Sequence, residues 1–379
     1  MESHTALLHN NLAVLNDNRP LSEKLAYLHQ VIKQRYDFIE RLAVAVYEPK
    51  TDLLKTFIHS SDKANPLNHY HAKLSDSQSL QAVMECGTPR VVNDLSIFDG
   101  SDKPHSDRIR AQGYRSSYTL PMFNKNDFFG FIFFNATLTD VFTTPVIHDL
   151  NVFAHLMSLT VVSELQQLRT LEAAIRTARD LTHHRDAETG GHLERMSRYA
   201  RMIATEVADI HGFNDEYIEQ IFLFSPLHDI GKIAIPDRIL LKPGRLNEEE
   251  FEIMKSHTTK GREIIKMMLS HFDMNGLYNG EMLLNIAQYH HEALNGLGYP
   301  VGLRGEEIPV EARIVAVADI FDALTSPRPY KEAWDNDTAL AMLQEMSGIT
   351  LDPDCVNAML NNTGQIESIQ QQFKEDFYA

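Results

Sequence analysis

The chain has 379 residues, of which 43% are hydrophobic and 23% charged, so its composition is that of a globular protein and not of a disordered one. This length favours two or three domains. The 52 acidic residues outnumber the 35 lysines and arginines, and the net charge of −17 at pH 7 argues against binding of the whole chain to nucleic acid polymers or anionic membranes. The two cysteines, Cys86 and Cys355, exclude a disulfide framework, a four-thiolate zinc site and a CxxC redox motif.

Membrane and export signals are also absent from the sequence pattern. No stretch approaches the 18 or more apolar residues that a spanning helix needs, and the strongest apolar run, residues 128–134, is typical of a buried strand. The N-terminus lacks the basic start and apolar core of a signal peptide. We therefore expect a soluble, cytoplasmic protein.

An N-terminal segment, residues 1–20, precedes a region of mixed strand and helix patterns at residues 21–144. Residues 42–46 and 53–58 predict a hairpin, because apolar residues alternate in the first run and Pro49-Lys50-Thr51-Asp52 offers a turn between the two. The pattern indicates a small α/β domain, a sheet with helices packed on it. Its further elements are a helix at 75–86 closed by Gly87, a strand at 89–95, a short helix at 106–113 with Ser106 as N-cap, and strands at 117–122 and 128–135.

A long helix is predicted over residues 145–185. Thr144 and Pro145 are typical of an N-cap followed by proline at the first helical position, and apolar residues then recur every three or four positions from Leu150 to Ala178. Such a helix would be about 60 Å long. We expect its first turns to pack on the sheet of the same chain, and the part after Glu164 to form a two-stranded coiled coil that joins a homodimer.

Residues 186–379 show no sustained strand alternation but several amphipathic helical runs, which predicts an all-α domain. The predicted fold class is therefore α+β and multidomain: an α/β domain, a connecting helix and an all-α domain. The runs are residues 196–210, 217–228, 248–269, 280–291 and 312–324.

Histidines and carboxylates combine in this last region. Glu188 and His192 are four residues apart and share one face of a helix. Asp319 lies inside an apolar helix, where a carboxylate is costly unless a cation or hydrogen bonds satisfy it. The other members are the pair His228-Asp229, the lone His257, and the triplet His290-His291-Glu292.

With Glu292 left out of the count, five imidazoles and the three carboxylates Glu188, Asp229 and Asp319, without a thiolate, suit a multinuclear site for Fe or Mn ahead of a structural zinc site. Two or three divalent ions would outweigh the three carboxylates, so the site would be net positive and favour an anionic substrate such as a phosphate ester. Lys232, Arg328 and Lys331 could add cationic contacts to phosphate.

These residues resemble an HD-GYP domain. The resemblance runs from about Thr182 to near the C-terminus, with its motifs in the order of the family. The motifs are HDIGK at 228–232, KPGRL at 242–246, HHE at 290–292, NGLGYP at 295–300, residues 308–325 with AVADIFDALT, and RPYK at 328–331.

The resemblance implies an all-α, metal-dependent phosphodiesterase that hydrolyses cyclic di-GMP to pGpG or GMP, with a metal-bridging hydroxide as nucleophile; some members act on cyclic GMP-AMP. It makes Lys232, Tyr299, Arg328 and Lys331 substrate contacts, and Asp229 and Lys232 the catalytic pair. The family usually has Asp where this chain has Asn295, which affects no ligand but alters the loop. The implied metal ligands are His192, His228, Asp229, His257, His290, His291 and Asp319, with Glu188 as the extra carboxylate of members that hold three metals.

Residues 21–144 are similar to a GAF domain in the order of strands and helices. The resemblance implies a regulatory sensor that binds a small ligand or mediates dimerisation. Two other functions stay open for the whole chain. One is an HD phosphohydrolase of linear nucleotides, which the Gly298-Tyr299-Pro300 loop disfavours; the other is a non-catalytic effector that binds a nucleotide or a diguanylate cyclase. The metal, Fe or Mn, the product, the preferred cyclic dinucleotide and the ligand of the sensor also stay open.

Overall fold

The computed structural model describes residues 13–62, 69–98, 112–181, 190–327 and 333–374. By its contacts the chain divides into two compact units, residues 1–167 with 214–216 and residues 168–213 with 217–379. The first unit contains a β-sheet and helices, and the second is helical, with one long helix running through the division. The predicted fold class is confirmed.

The N-terminal unit is built on a six-stranded antiparallel sheet. The strand order is β3-β2-β1-β6-β5-β4, so β1 and β6 lie at the centre and β3 and β4 at the edges. The strands are β1 (Ile39–Glu48), β2 (Leu53–Ser61), β3 (His71–Lys73), β4 (Arg90–Val92), β5 (Ser116–Asn124) and β6 (Asp127–Ala136).

Helices cover both faces of this sheet. On one face lie α1 (Leu21–Lys33) and the long helix α3 (Thr144–Leu181), joined to it by hydrogen bonds from His29 to Ile39 O (2.9 Å) and from Tyr118 to Asn151 Oδ1 (2.5 Å). On the other face α2 (Gln78–Cys86) contributes to an apolar cluster at one end of the sheet. That cluster consists of Ala45, Leu54, Leu74, Leu80, Val83 and Phe131.

The predicted hairpin and the last two strands are confirmed. The strand predicted at 89–95 ends already at Val92, because the Asp94 carboxylate accepts the backbone N–H of Ser96 (2.9 Å) and turns the chain into a short 3₁₀-helix. The helix predicted from 75 becomes α-helical only at Gln78, after a 3₁₀ turn at Leu74–Asp76. The short helix predicted at 106–113 falls almost entirely outside the described residues.

Helix α3 begins at Thr144, one residue before the predicted start at Pro145, and is described as far as Leu181. By length and composition alone its part Thr144–Leu171 could cross a membrane, so the expectation that no segment of this kind exists was wrong. However, Leu150, Ala154 and Met157 are buried within the chain. This burial is typical of a helix that packs on its own sheet, as the sequence predicted for the first turns.

The predicted coiled coil concerns the second half of α3. Leu165, Leu168 and Leu171 are buried within the single chain, so these leucines are not available for a seam between two chains. The coiled coil stays a prediction for the part of the helix that follows Leu171. Residues 182–185, which complete the predicted helix, lie outside the described residues.

The C-terminal unit is helical throughout its described parts. Its core is formed by α4 and α11, in which Tyr199 and Phe321 pack edge to face with ring centroids 5.3 Å apart. The helices are α4 (Gly190–Glu206), α5 (Ala208–His211), α6 (Asp215–Phe224), α7 (Asp237–Leu240), α8 (Glu248–Lys255), α9 (His257–His271), α10 (Gly280–Tyr289), α11 (Val310–Thr325), α12 (Asn336–Met346), α13 (Pro353–Asn361) and α14 (Thr363–Gln372).

Two of the predicted helices are broken where the candidate ligands lie. The run at 217–228 ends its α-helix at Phe224 and continues as a 3₁₀ turn, Ser225–Leu227, with Pro226 in its first turn. The run at 248–269 is two helices: α8 starts with an Asn247–Glu250 capping box, and α9 starts afresh at His257. Because the helices break at these points, the side chains of His228 and His257 do not point in the directions that a continuous helix would impose.

Candidate metal centre

Seven of the predicted ligand residues converge in two adjoining clusters of the C-terminal unit. Within each cluster, one ligand atom of every residue lies within 4.8 Å of the others. Cluster 1 consists of Asp229, His257, His290 and His291, and cluster 2 of His192, His228 and Asp319.

Asp229 lies between the two clusters. Its Oδ1 is 3.1 Å from His257 Nε2 and 3.6 Å from His290 Nε2, whereas its Oδ2 is 3.2 Å from His228 Nε2 in cluster 2. One carboxylate oxygen therefore faces each cluster. A carboxylate that bridges two ions needs this arrangement, with one oxygen towards each ion.

Asp319 completes cluster 2 from the middle of α11. Its Oδ1 lies 3.8 Å from His192 Nε2 and 3.9 Å from His228 Nε2, too far for hydrogen bonds but suitable for three ligands around one ion. The neighbouring residues Val315 and Ala318 are buried. The predicted setting of Asp319, a carboxylate within an apolar helix, is therefore confirmed.

The histidines are oriented by their second ring nitrogen. His228 Nδ1 bonds to Ser225 O (2.9 Å), His257 Nδ1 to Met254 O (2.8 Å) and His290 Nδ1 to Ile286 O (2.9 Å). A carbonyl can only accept, so each Nδ1 carries the proton and each Nε2 presents a lone pair. The helix breaks matter here, because the carbonyls of Ser225 and Met254 lie in the turns just before these histidines.

The turn that follows Asp229 is pressed against α9. A Cβ on Gly231 would lie 1.8 Å from His257 O, so only glycine permits this approach. The approach keeps Asp229 and His257 within 3.1 Å of each other, measured between Oδ1 and Nε2. Gly231 of the HDIGK motif is thus a structural requirement of cluster 1.

The protonation states suit ligation. Burial by itself would raise the pKa of Asp229, but Lys232 and His228 outweigh it and hold that pKa well below its ordinary value. Burial is also the main cause that lowers the pKa of His290, and that of His291 still further. At neutral pH the carboxylate is therefore charged and the two imidazoles are neutral.

The clusters fit divalent metal ions. Among the described residues, the buried atoms His257 Nε2, His290 Nε2 and Asp229 Oδ1 have no hydrogen-bond partner, although they lie close together. Lone pairs that face one another in a buried site are unfavourable unless a cation lies between them. Imidazole and carboxylate ligands without a thiolate suit Fe, Mn or Zn.

The comparison with protein families decides the class of this unit. Residues 176–355 match the model of the HD domain. Over these residues the C-terminal unit is similar to an HD domain. HD domains of phosphodiesterases are metal-dependent hydrolases, so the predicted dependence on a metal and the predicted enzyme class agree with the family.

Curated relatives match over the region of the HD domain. The chain is 46% identical over 215 residues to the cyclic di-GMP phosphodiesterase response regulator RpfG of Xanthomonas campestris, covering 57% of this chain and 53% of the relative. It is 38% identical over 225 residues to a cyclic di-GMP phosphodiesterase of Vibrio cholerae, a match that covers 55% of this chain and 45% of the relative. It is also 36% identical over 186 residues to the 3'3'-cGAMP-specific phosphodiesterase 2 of the same species, a match that covers 49% of this chain and 34% of the relative. The chain spans about half the length of the first two relatives. The predicted kinship with cyclic di-GMP phosphodiesterases is confirmed.

Solved structures with a partly similar fold include GAF domains. The phycocyanobilin-bound GAF domain from a cyanobacterial phytochrome is 12% identical, with a TM-score of 0.34, and the match covers 42% of this chain and 93% of that chain.

The C-terminal unit supports His192 in a way that the sequence did not reveal. His192 Nδ1 bonds to Asp322 Oδ2 (2.8 Å), so this histidine, unlike those oriented by backbone carbonyls, is oriented by a carboxylate. Arg195 holds both oxygens of Asp322 (2.7 and 2.9 Å), and Ser326 Oγ donates to Asp322 Oδ2 (2.9 Å). The signal available in the sequence was the spacing of Asp319 and Asp322, three residues apart and thus on one face of α11.

Two of the predicted substrate contacts lie beside cluster 1. Lys232 Nζ is 2.8 Å from Asp229 Oδ2, and the Tyr299 ring lies 4.7 Å from the His291 ring and 6.3 Å from the His257 ring, between centroids. Burial raises the pKa of Tyr299, so its hydroxyl stays protonated and can donate a hydrogen bond.

Glu292 anchors the loop that carries Tyr299. Its buried carboxylate accepts the backbone N–H groups of Val301 (2.7 Å), Gly302 (3.0 and 3.1 Å) and Leu303 (3.0 Å). Sequence analysis named Glu292 only as part of a motif and missed this role. Asn295, the departure from the family pattern, accepts the Leu297 N–H (2.9 Å) through its side-chain oxygen, a bond that an Asp would also form.

Three predicted site residues, Glu188, Arg328 and Lys331, fall in gaps between the described residues. Glu188, the candidate ligand for a third ion, falls in the gap at 182–189. Arg328 and Lys331, the candidate phosphate contacts, fall in the gap at 328–332. All three lie outside the described residues.

Proposed function

We propose that the chain is a metal-dependent phosphodiesterase that hydrolyses cyclic di-GMP to pGpG, GMP or both. The observation that carries this proposal is the pair of adjoining clusters with one oxygen of Asp229 facing each. The relatives named as cyclic di-GMP phosphodiesterases support the choice of substrate.

The ligand set of the proposal comprises the residues of both clusters, with Glu188 added on sequence grounds for a third ion. Bound divalent ions would activate a water molecule and stabilise the negative charge that develops at phosphorus. Iron is our first choice and manganese the alternative, because both suit imidazole and carboxylate ligands. Two to three ions per chain are expected.

The residues of the chain have separate tasks in this proposal. Asp229 holds the two ligand clusters in one geometry, since its oxygens face both. Lys232 provides an ammonium beside Asp229 that can bind a phosphate oxygen, and Tyr299 offers a protonated hydroxyl near His291. Arg328 and Lys331 join them as phosphate contacts on sequence grounds.

Cyclic GMP-AMP is the second candidate substrate, because one relative is named as specific for it. Both substrates are cyclic dinucleotides, so the same metal centre and cationic contacts would serve both. A non-catalytic effector that binds a nucleotide or a diguanylate cyclase is the alternative from another class.

We also propose the organisation of the whole chain. Residues 21–144 would act as a GAF-like sensor that follows the segment 1–20, residues 145–185 as the connecting helix, and residues 186–379 as the phosphodiesterase. A homodimer joined by the end of α3, and a location in the cytoplasm, belong to this proposal. The architecture of a sheet with helices on both faces supports the sensor.

The test is anaerobic turnover of cyclic di-GMP, cyclic GMP-AMP and linear pGpG, with iron and manganese determined on the same sample. We expect hydrolysis of a cyclic dinucleotide with two to three ions per chain. Asp229→Ala should abolish it, whereas the matched variant of an exposed carboxylate, Asp209→Ala, should keep the wild-type rate. Full metal occupancy without hydrolysis of any cyclic dinucleotide would contradict the proposal and favour the effector.

A further inference from the structure

The second face of the sheet in the N-terminal unit has a polar centre. Strand register places Arg41 of β1 opposite Ser61 of β2 and Asn135 of β6, and Asn135 opposite Ser117 of β5. Residues directly opposite each other in antiparallel strands point to the same face. These four polar residues therefore form one row across the middle of the sheet.

A second row follows two residues further along each strand. It contains His59 on β2, Thr119 on β5 and Arg90 on β4, with Ala43 and Phe133 between them. Because side chains alternate with a period of two, this row lies on the same face as Arg41. Two arginines, one histidine and several hydroxyl and amide groups thus share one face.

Apolar clusters flank these rows on the same face. The cluster that contains Ala45 and Phe131 lies towards one end, and a small cluster of Val92, Leu95 and Tyr114 lies towards β4. Several members of the rows are nevertheless buried: Arg41 is 3% exposed, Asn135 2% and Thr119 0%, whereas Arg90 and His59 are partly buried. A sheet face that is buried, polar at its centre and apolar at its margins is typical of a ligand site.

The polar groups of these rows are not fully paired. Arg41 Nη1 donates to Asn135 Oδ1 (3.2 Å), and Asn135 in turn donates to Ser117 Oγ (3.2 Å). Four buried atoms have no hydrogen-bond partner among the described residues: Arg41 Nε, Arg90 Nε, His59 Nδ1 and Thr119 Oγ1. Unpaired buried polar atoms are rare in folded proteins and call for a missing partner.

The charge of the rows is positive. No carboxylate of the described residues forms a salt bridge with Arg41 or Arg90, and for the buried guanidinium of Arg41 the lack of one is costly. Asp215, which belongs to this unit by its contacts, accepts hydrogen bonds from the N–H and the ring Nδ1 of His69 (3.0 and 2.8 Å) and lies 4.0 Å from His59 Nδ1. Its carboxylate attracts the guanidinium of Arg41 electrostatically but forms no salt bridge with it.

We propose that this face binds a small oxyanion, a carboxylate or a phosphate group of a metabolite, between Arg41 and Arg90. Arg41 Nε and Arg90 Nε donate to the oxygens of the anion, and Thr119 donates its hydroxyl proton. The apolar margins receive the remainder of the ligand. Since this site lies in the N-terminal unit, it is separate from the metal centre.

The test uses the full-length metal-loaded protein labelled with ¹⁵N-arginine and titrated with sodium phosphate and with sodium acetate, each against sodium chloride of equal ionic strength. The Nε–H signal of Arg41, assigned by its loss in Arg41→Gln, reports binding at this face and not at the metal centre. Calorimetry gives the affinity. A response to phosphate alone or to acetate alone identifies the source of the oxyanion, and a response to both identifies a shared site.

We expect a saturable shift of the Arg41 signal with a Kd in the millimolar range, because the probes are small. Arg41→Gln keeps a donor for Asn135 but removes the charge and should abolish the calorimetric component of this site, and the near-isosteric Thr119→Val should weaken binding several-fold. No saturable shift with either anion, or unchanged affinity in Arg41→Gln, would overturn the proposal.

The melting temperatures of two variants distinguish a ligand-binding role of Arg41 from a purely structural one. Arg198 is as buried as Arg41 but is paired with Glu194 Oε2 (2.6 Å), so Arg198→Gln should lower the melting temperature without changing anion binding. Arg41→Gln should not lower the melting temperature in chloride buffer, because it removes a buried charge that forms no salt bridge. A fall as large as that of Arg198→Gln would make Arg41 a structural residue and contradict the proposal.

Discussion

Replacing Asp322 by asparagine should impair cluster 2 while leaving cluster 1 intact. In the wild type, Asp322 Oδ2 accepts the Nδ1 proton of His192, and Arg195 donates to both oxygens. An asparagine can offer only one oxygen. If its amide nitrogen faces His192, the imidazole must accept at Nδ1 and carry its proton on Nε2, which is the nitrogen needed for the metal.

The opposite orientation of the asparagine is no better, because the amide nitrogen would then face the Nε–H of Arg195. Supporting residues of this kind typically change metal affinity 10- to 100-fold. We expect a loss of this size at cluster 2, or about 1.4 to 2.7 kcal/mol. Leaving Arg195 without its carboxylate should also lower the stability of the fold by about 3 kcal/mol.

The assay is a competitive titration of the metal-free protein with Mn²⁺ against a fluorescent chelator, with the metal content measured separately. The expected result is one class of ions with wild-type affinity and one class weakened at least tenfold. Metal binding is measured independently of turnover, so a loss of activity alone cannot produce this result.

Asp352→Asn is the matched control. Asp352 is also buried and forms an ion pair with an arginine of α11, Arg313, and it has no hydrogen bond or ion pair with a candidate ligand among the described residues. This variant should lose stability comparably and bind metal as the wild type does. If Asp322→Asn also bound metal with the affinity and stoichiometry of the wild type, the assignment of Asp322 as the support of His192 would be refuted.

Three further results are expected. Asp229→Ala should lower the metal content of both clusters, since its oxygens face both; unchanged stoichiometry would argue against bridging. Gly231→Ala should destabilise the fold by about 3 kcal/mol and displace His257, as judged by thermal unfolding, whereas Gly261→Ala, whose Cβ would meet atoms at 3.4 Å or more, should be neutral or slightly stabilising. Glu292→Gln should raise KM with the metal content unchanged, because it weakens the anchor of the loop; a loss of metal instead would show that Glu292 acts on the clusters.

The sequence predicted candidate metal ligands where a residue type in its local context has few roles other than metal binding. A carboxylate in an apolar helix, a histidine next to an aspartate and a pair of histidines are rare together, so Asp319, His228 and His290 could be identified before any geometry was known. The structural role of Gly231 could not be predicted in the same way, because glycine is a common residue. A side chain at this position is excluded by His257 O, which belongs to a residue 26 positions further along the chain.

The breaks in the helices were missed for a related reason. The apolar pattern of residues 248–269 continues across Ser256, and hydrophobic periodicity does not register a change of direction in the backbone. The break is evident only from the backbone hydrogen bonds, since Ser256 N donates to Ile253 O (3.2 Å), three residues back, and a new helix begins at His257.

The sequence by itself predicted the fold class, the seven candidate metal ligands that the two clusters contain and the kinship of the C-terminal unit, because these depend on residue types and their spacing. The tertiary structure decided which oxygen of Asp229 faces which cluster, which support holds His192, and which polar side chains of the N-terminal sheet lack a partner. These features join residues that are distant in sequence, such as Asp322 and His192 or Arg41 and Asn135. Contacts of this kind follow from the packing of whole elements, which no local pattern encodes.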